Sequence, residues 1–145
     1  MVSVTAAAVQ SGRRLAEALM TATATIYRRT GERRDGIRVI AQWSVAYAGR
    51  CKVQTYEGYE QTPGGSSGAT VTVQRSQVHV PVGAYSPEPG DVARLDTSRD
   101  PHMVGRLWRV TTRWPVKEHA TAYRASVEEL IGDDLTTFES GEVIS

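Results

Sequence analysis

Val104-Gly105-Arg106-Leu107-Trp108-Arg109-Val110-Thr111-Thr112-Arg113-Trp114 places Trp108, Val110, Thr112 and Trp114 on one face of an extended chain and Leu107, Arg109, Thr111 and Arg113 on the other. Period-two alternation among β-branched and aromatic residues marks a half-buried strand. An Asp100-Pro101 turn precedes the run, and Pro115 ends it, because proline has no amide proton for a ladder. Working outward, residues 91–97 and 120–130 read as flanking strands, so the second half of the chain is a meander. A meander this short must curl or pack to be stable.

Upstream, Thr25 and Tyr27 alternate with Ala24, Ile26 and Arg28, giving a first strand over 23–29. Residues 30–49 carry glycines and charged pairs around Ile37-Arg38-Val39-Ile40 and read as a long excursion with at most a short strand, anchored by Trp43, Val45 and Tyr47. Residues 50–57 form a stronger strand and 69–82 the longest. Val71 and Val73 sit at odd positions and Val78, Val80 and Val82 at even ones, a phase shift that calls for a bulge or bend of the kind found at barrel corners. Between these strands, 58–68 is rich in glycine and serine and reads as a mobile hairpin tip. The one clear helix is 6–22, where Val9, Gly12, Ala16 and Leu19 recur at helical spacing, Leu15 widens the stripe, and Arg13 and Glu17 stand four apart on the other side. It serves either to cover the sheet or to dock on a neighbour.

The expected fold is mainly β, a small partly open β-barrel or sandwich with one N-terminal helix. Its core is expected to include Ile26, Val71, Val73, Trp108, Val110 and Trp114. At 145 residues the chain suits one domain, taken as 1–130, followed by an acidic tail at 131–145. No apolar run approaches the roughly 20 residues needed to span a bilayer. The N-terminus lacks the basic region and long apolar core of a secretory signal, so the product is expected to stay in the cytoplasm of the cell that makes it. The single cysteine, Cys51, fits a reducing compartment. It lies between Arg50 and Lys52, where cations would activate a thiolate, but no nucleophile motif surrounds it, which favours a small buried strand residue.

Net charge is +1, unevenly spread. Residues 1–56 hold nine Lys/Arg against three Asp/Glu, while 128–145 hold six acids and no base. Such a split suits complementary surfaces between neighbouring subunits, with Arg13, Arg14, Arg28, Arg29, Arg33 and Arg34 facing Glu128, Glu129, Asp133 and Asp134. The plain alternative is a solvated acidic terminus.

Chemistry finds little support. His79, His102 and His119 lie apart, outside any zinc-binding cluster, and Asp91, Asp96 and Asp100 lack the glycine and closing glutamate of a calcium loop. The glycines at 64, 65 and 68 are not followed by the lysine and hydroxyl residue of a phosphate loop, nor is there a serine elbow. No catalytic residue, cofactor or metal is expected.

Several stretches resemble the small head-to-tail connector proteins of long-tailed bacteriophages, a family best represented among phages of actinobacteria. They are Thr25-Ile26-Tyr27-Arg28, Cys51-Lys52-Val53-Gln54, Val78-His79-Val80-Pro81-Val82, Pro89-Gly90-Asp91-Val92, Asp100-Pro101-His102-Met103-Val104-Gly105-Arg106-Leu107-Trp108-Arg109-Val110 and His119-Ala120-Thr121-Ala122-Tyr123-Arg124. The likeness covers about residues 23 to 130, with a poor match at 31–49 and none after Leu130. It implies a stopper ring in the virion neck, of six or twelve copies with six favoured. The ring would be assembled in the host cytoplasm, joining a portal or adaptor protein to a tail terminator or tail tube around packaged double-stranded DNA, with no membrane. In such rings loops enter the axial channel, so Gly58, Tyr59, Gln61, Pro63, Gly64, Gly65, Ser66 and Gly68 are the candidate gate, with 98–103 a shorter alternative. A tail-terminator or adaptor ring is the alternative within this class, the adaptor disfavoured because adaptors are mostly helical. From another class comes a nucleic-acid-binding barrel using Arg106, Arg109 and Arg113 beside Trp108 and Trp114, against which stands the nearly neutral charge.

Overall fold

The alternation at 104–114 becomes strand β5, Leu107–Thr112, set between β4, Val92–Thr97, and β6, Tyr123–Glu129, in an antiparallel meander. The structure, a computed structural model, describes residues 4–61, 70–112 and 120–144, with side chains of 56–61 and 70–75 outside the description. The remaining elements are helix α1, Val4–Ala18; strands β1, Ala22–Asp35, β2, Arg38–Gln61, and β3, Thr70–Val80; a 3-10 turn at Pro101–Met103; helix α2, Gly132–Glu139; and strand β7, Glu142–Val143.

Six strands pair in the order β1-β4-β5-β6-β3-β2, and β2 returns to β1, so the sheet runs as a ring that is not closed as a barrel. The expected mainly β fold with one N-terminal helix is what the chain adopts. The opening follows from how β2 is used. Its residues Arg38 to Cys51 ladder with β1 and Lys52 to Gln61 with β3, so no residue of β2 has these two neighbours at once. β7 adds in parallel to the same strand at Gln42 and Trp43.

Inward-facing residues of the ring form the larger core: Ala22, Ala24 and Ile26 from β1, Cys51, Val78 and Val80, Ala93 and Leu95, Trp108 and Val110, and Ala125 and Val127. A second, smaller core lies on the outer face, where Tyr27, Ala41, Trp43, Val92 and Leu130 meet Leu107, Leu135 and Phe138. Alternation makes both possible: Ile26 and Tyr27, or Val92 and Ala93, are sequence neighbours that serve opposite faces. Ile26, Trp108 and Val110 take the core positions read from the sequence. Val71 and Val73 belong to β3 by backbone with side chains outside the description, and Trp114 lies outside the described residues.

Five expectations are corrected. Residues 30–49 are not an excursion: β1 and β2 run as a continuous hairpin to the pair Asp35↔Arg38. Its two-residue turn, Gly36-Ile37, has Gly36 at φ +66°, the pattern of a type II′ turn that matches strand twist. β3 pairs with β2 one for one from His79 to Thr70, without the bulge expected between Val73 and Val78. Since β6 reaches only Ser76–Val80 on its other side, the far part of this ladder lies beyond the ring and needs no change of face. The ladder also takes in Gly58, Tyr59 and Gln61, so the glycine-rich connection is shorter than 58–68.

The C-terminal fifteen residues are not merely a tail: 132–139 form α2, and Phe138 sets its ring 5.4 Å from Tyr27 and 5.2 Å from Trp43. Two apolar side chains three apart, Leu135 and Phe138, suffice to dock one helical face. Finally, α1 begins and ends earlier than 6–22, because Met20 turns inward and is buried as the chain enters β1. Its apolar stripe is half covered: Val9, Gly12 and Ala16 are half-buried, while Leu15 and Leu19 are 70% and 63% exposed. Contact comes through Gly12, where a Cβ would stand 2.7 Å from Thr121 Cγ2, and Arg13, whose Nε donates to the Ala120 carbonyl at 3.1 Å rather than serving Glu17.

Phe138→Ala is expected to lower the unfolding free energy by about 2 kcal/mol, below the range for fully buried aromatics because the ring is half-buried. Urea denaturation reads this directly; an unchanged midpoint would mean that the C-terminal segment is not part of the folded unit.

Candidate functional site

Asp91 opens β4 and is 2% exposed. Burying a carboxylate demands compensation by charge and hydrogen bonds. Arg28 of β1 supplies both, its Nε donating to Oδ1 at 3.1 Å and its Nη2 to Oδ2 at 2.9 Å. The Tyr85 hydroxyl donates to Oδ2, and so does the Glu88 amide at 3.0 Å. Arg28 Nη2 also donates to the Ser86 carbonyl at 2.7 Å, and the guanidinium sits over the Tyr85 ring, which in turn stacks on Tyr47. Hydrogen bonding to Asp91 raises the Arg28 pKa further, and burial raises that of the Tyr85 phenol, so neither titrates near neutrality. The backbone completes the knot, with Gly90 donating to Val110 and Val110 to Asp91, both at 2.8 Å.

Beside this knot is a cleft of about 310 Å³ lined by Arg28, Arg29, Trp43, Glu88, Arg109 and Asp134 among others. Its charges are already spoken for: Arg28 by Asp91 and Glu88, Arg109 by Glu128 and, at 3.7 Å, Asp134. The cleft therefore offers a mixed, neutralised lining rather than an anion or cation site. Among the described residues no three His, Cys, Asp or Glu side chains gather to hold a metal.

Cys51 is fully buried in the larger core, and burial pushes its thiol up to about 12. That is the inert strand residue, not an activated thiolate. His79 lies on β3 between Lys52 and Arg124 of the adjacent strands; burial first, then Arg124 and Lys52, lower its pKa to about 4.

The residues read as a subunit interface divide into two groups. Arg28 is held by Asp91, Arg29 by Glu32 at 3.5 Å, Glu128 and Asp134 by Arg109, and Arg13 by a carbonyl. Arg33 forms a two-pronged pair with Glu142, at 3.0 and 3.1 Å, to which Gln42 adds a bond at 2.9 Å. The contrast between basic front and acidic end is thus partly closed within one chain, at a contact from the hairpin to β7 that the sequence did not suggest. Hydrogen bonds from Arg33 first, then Gln42, lower the Glu142 pKa. Arg14, Arg34, Glu129 and Asp133 are exposed and have no ion-pair partner among the described residues. Of the candidate gate, Gly58, Tyr59 and Gln61 lie in the backbone of β2, and Pro63, Gly64, Gly65, Ser66 and Gly68 fall outside the described residues. Of the nucleic-acid alternative, Trp108 is buried in the ring core and Arg109 is paired, while Arg113 and Trp114 lie outside the described residues.

What the fold leaves exposed is extended structure. From Arg29 through Val39 every residue of the β1–β2 hairpin is exposed, Ile37 at its turn completely so, and no residue of α1 is buried. Among the described residues no helix is long and apolar enough to cross a membrane.

The class defined by this geometry is a small open β-ring with a two-stranded arm, exposed at its end, and an N-terminal helix that is only partly covered. Residues 12–128 match a family of unknown function, DUF6093, and the chain belongs to that family. No curated protein matches the sequence. The solution structure of protein SF1141 from Shigella flexneri 2a, a structural genomics target, is similar over 76% of this chain and 92% of its own, at 13% identity and a TM-score of 0.47.

Asp91→Ala is expected to lower stability by about 3 kcal/mol or more, since it strands a partly buried guanidinium and a buried phenol. Arg109→Ala, at an exposed pair, is expected to cost under about 1 kcal/mol. Equal effects in chemical denaturation would refute the anchoring role of Asp91. For His79, the unfolded chain takes up a proton near its ordinary value of about 6.5 while the folded chain resists until about 4. Stability is therefore full above about pH 6.5 and falls as pH drops toward 4. The melting temperature of His79→Gln is expected to vary less across that window than that of the wild type.

Proposed function

We propose that the chain is a structural subunit of the neck of a long-tailed bacteriophage, a head-to-tail connector (stopper) ring that joins the portal or adaptor to the tail and helps retain packaged DNA. Six or twelve copies close around the DNA, and the protein works by assembly rather than chemistry. The sequence resemblance spanning residues 23 to 130 names the class. One structural observation carries the reading further: no residue of α1 is buried, and the end of the β1–β2 arm, residues 34–39, is exposed on both strands. A helix of 15 residues with none buried, and a ribbon end whose residues 34–39 are all exposed, are marginal structures in water. Neighbouring subunits that cover them supply what the single chain lacks. Ring closure requires a heterologous contact, one patch meeting a different patch on the next copy, and a chain with several unlike projections suits that better than a flat self-complementary face. The nucleic-acid reading gains nothing comparable, because Trp108 is enclosed in the core.

Mixing the purified protein with DNA-filled, tailless heads and following it by sedimentation and electron microscopy is expected to show a ring added at the portal vertex. Absence of binding to heads, with salt-sensitive binding of single-stranded DNA to the free protein, would replace the connector reading with the nucleic-acid one.

A further inference from the structure

The β1–β2 arm ends in Arg34, Asp35, Gly36, Ile37, Arg38 and Val39, each of them exposed, with two bases against one acid. Arg33, nearer the body, is fixed by Glu142, so the base of the arm is held while its end stands free. Directly paired residues of antiparallel strands share a face. Arg34 is paired with Val39, so its charge has no acid across the ladder, and Val39 is half exposed beside it. Arg38 is paired with Asp35 on the other face, but the two form no ion pair. The end of the arm is thus an apolar tip, Ile37 with Val39, bracketed by two arginines that lack ion-pair partners among the described residues.

Among the described residues, one other place has the opposite pattern. Between β6 and α2 the backbone of Ile131 is extended, φ −138° and ψ 162°, and its side chain is 73% exposed while the preceding Leu130 is buried. In extended chain, alternate residues point the same way, so Glu129 and Ile131 face outward together, and Asp133 follows in the first turn of α2. Glu129 and Asp133 are exposed and have no ion-pair partner among the described residues, whereas their neighbours Glu128 and Asp134 are held by Arg109. An apolar residue bracketed by two unpaired acids therefore stands where the arm offers an apolar residue bracketed by two unpaired arginines.

We infer that the arm tip of one copy docks on the Glu129-Ile131-Asp133 surface of the next, with Ile37 against Ile131 and Arg34 and Arg38 toward Glu129 and Asp133. The inference deepens the ring reading and rests on it for closure, although the pairing of surfaces needs only a second copy of this chain. The contact is heterologous, so it propagates head to tail and closes if the rotation allows. The apolar centre supplies desolvated area and the charges set register and exclude wrong partners.

Two charge-reversed variants test it. Arg34→Glu with Arg38→Glu reverses the arm, and Glu129→Lys with Asp133→Lys reverses the docking surface; all four sites are exposed, and thermal unfolding of each variant checks that the fold is kept. In sedimentation velocity over a wide range of concentration, each variant alone is expected to associate at least about tenfold more weakly than the wild type, because every contact would bring like charges together. Mixed in equal amounts, the two are expected to recover wild-type assembly, since each reversed arm then meets a reversed surface and each native arm a native one. Variants that associate like the wild type, or a mixture that stays dissociated, would overturn the arm contact. A wild-type chain that remains monomeric at every concentration would overturn it as well. None of these results touches the binding of a ring to tailless heads, so the connector reading and the arm contact fail separately.

Discussion

The buried carboxylate of Asp91 is the interaction on which the arrangement of strands depends. It sits where the connection from β3 enters β4, and through its four hydrogen bonds it ties that connection to Arg28 of β1. Its own main chain is bonded to Val110 of β5. Three separate stretches of sequence are thereby fixed in one place, and Tyr85, which must donate its hydroxyl to Asp91, closes over the larger core beside Tyr47. A buried ion pair is poor evidence of net stability, but breaking it is expensive, so such a knot acts to specify one arrangement among several that a curled sheet could adopt.

From that fixed point the division of labour along β2 follows. This strand, 24 residues long, contributes its middle to the ring and sends one end into the β1–β2 arm and the other into the ladder with β3 beyond β6. Its buried residues serve both cores, Cys51 the interior of the ring and Ala41 and Trp43 the outer face. The two cores on opposite faces of β1 and β2 keep this long strand from twisting away: one is the interior of the ring, and the other is roofed by Leu135 and Phe138 of α2. The Arg33–Glu142 pair then holds the base of the arm against β7. At an exposed site such a pair adds little stability, and its effect is to set a direction.

The sequence was most legible where burial alternates cleanly. β4, β5 and β6 are bounded by turns and have inward apolar residues at every second position, so the meander and the core roles of Trp108 and Val110 could be read directly. The arm was not legible because its β1 side buries nothing beyond Arg28: Glu32, Arg33, Arg34 and Asp35 leave no periodic signal, and only Gly36 hinted at a turn. The C-terminal helix was hidden by its own acids. Asp133 and Asp134 looked like a solvated tail, although acidic residues in a first turn followed by Leu135 and Phe138 three apart are a helix start with one docked face. Asp91 lay within a motif that the connector resemblance singled out, but its partner Arg28 is 63 positions away, and no local pattern pairs residues across such a distance.

The same physics separates what the chain finishes alone from what it leaves for a neighbour. Asp91, Arg109 and Glu142 are paired internally, whereas Arg34, Arg38, Glu129 and Asp133 have no ion-pair partner among the described residues. The proposed neck ring accounts for an arm end exposed on both strands and a helix with no buried residue. The most direct test is to locate the protein in the particle: gold-labelled antibody raised against the purified chain should decorate intact virions at the junction of head and tail and nowhere else. Label spread over the capsid, or virions that contain none of the protein, would contradict the account.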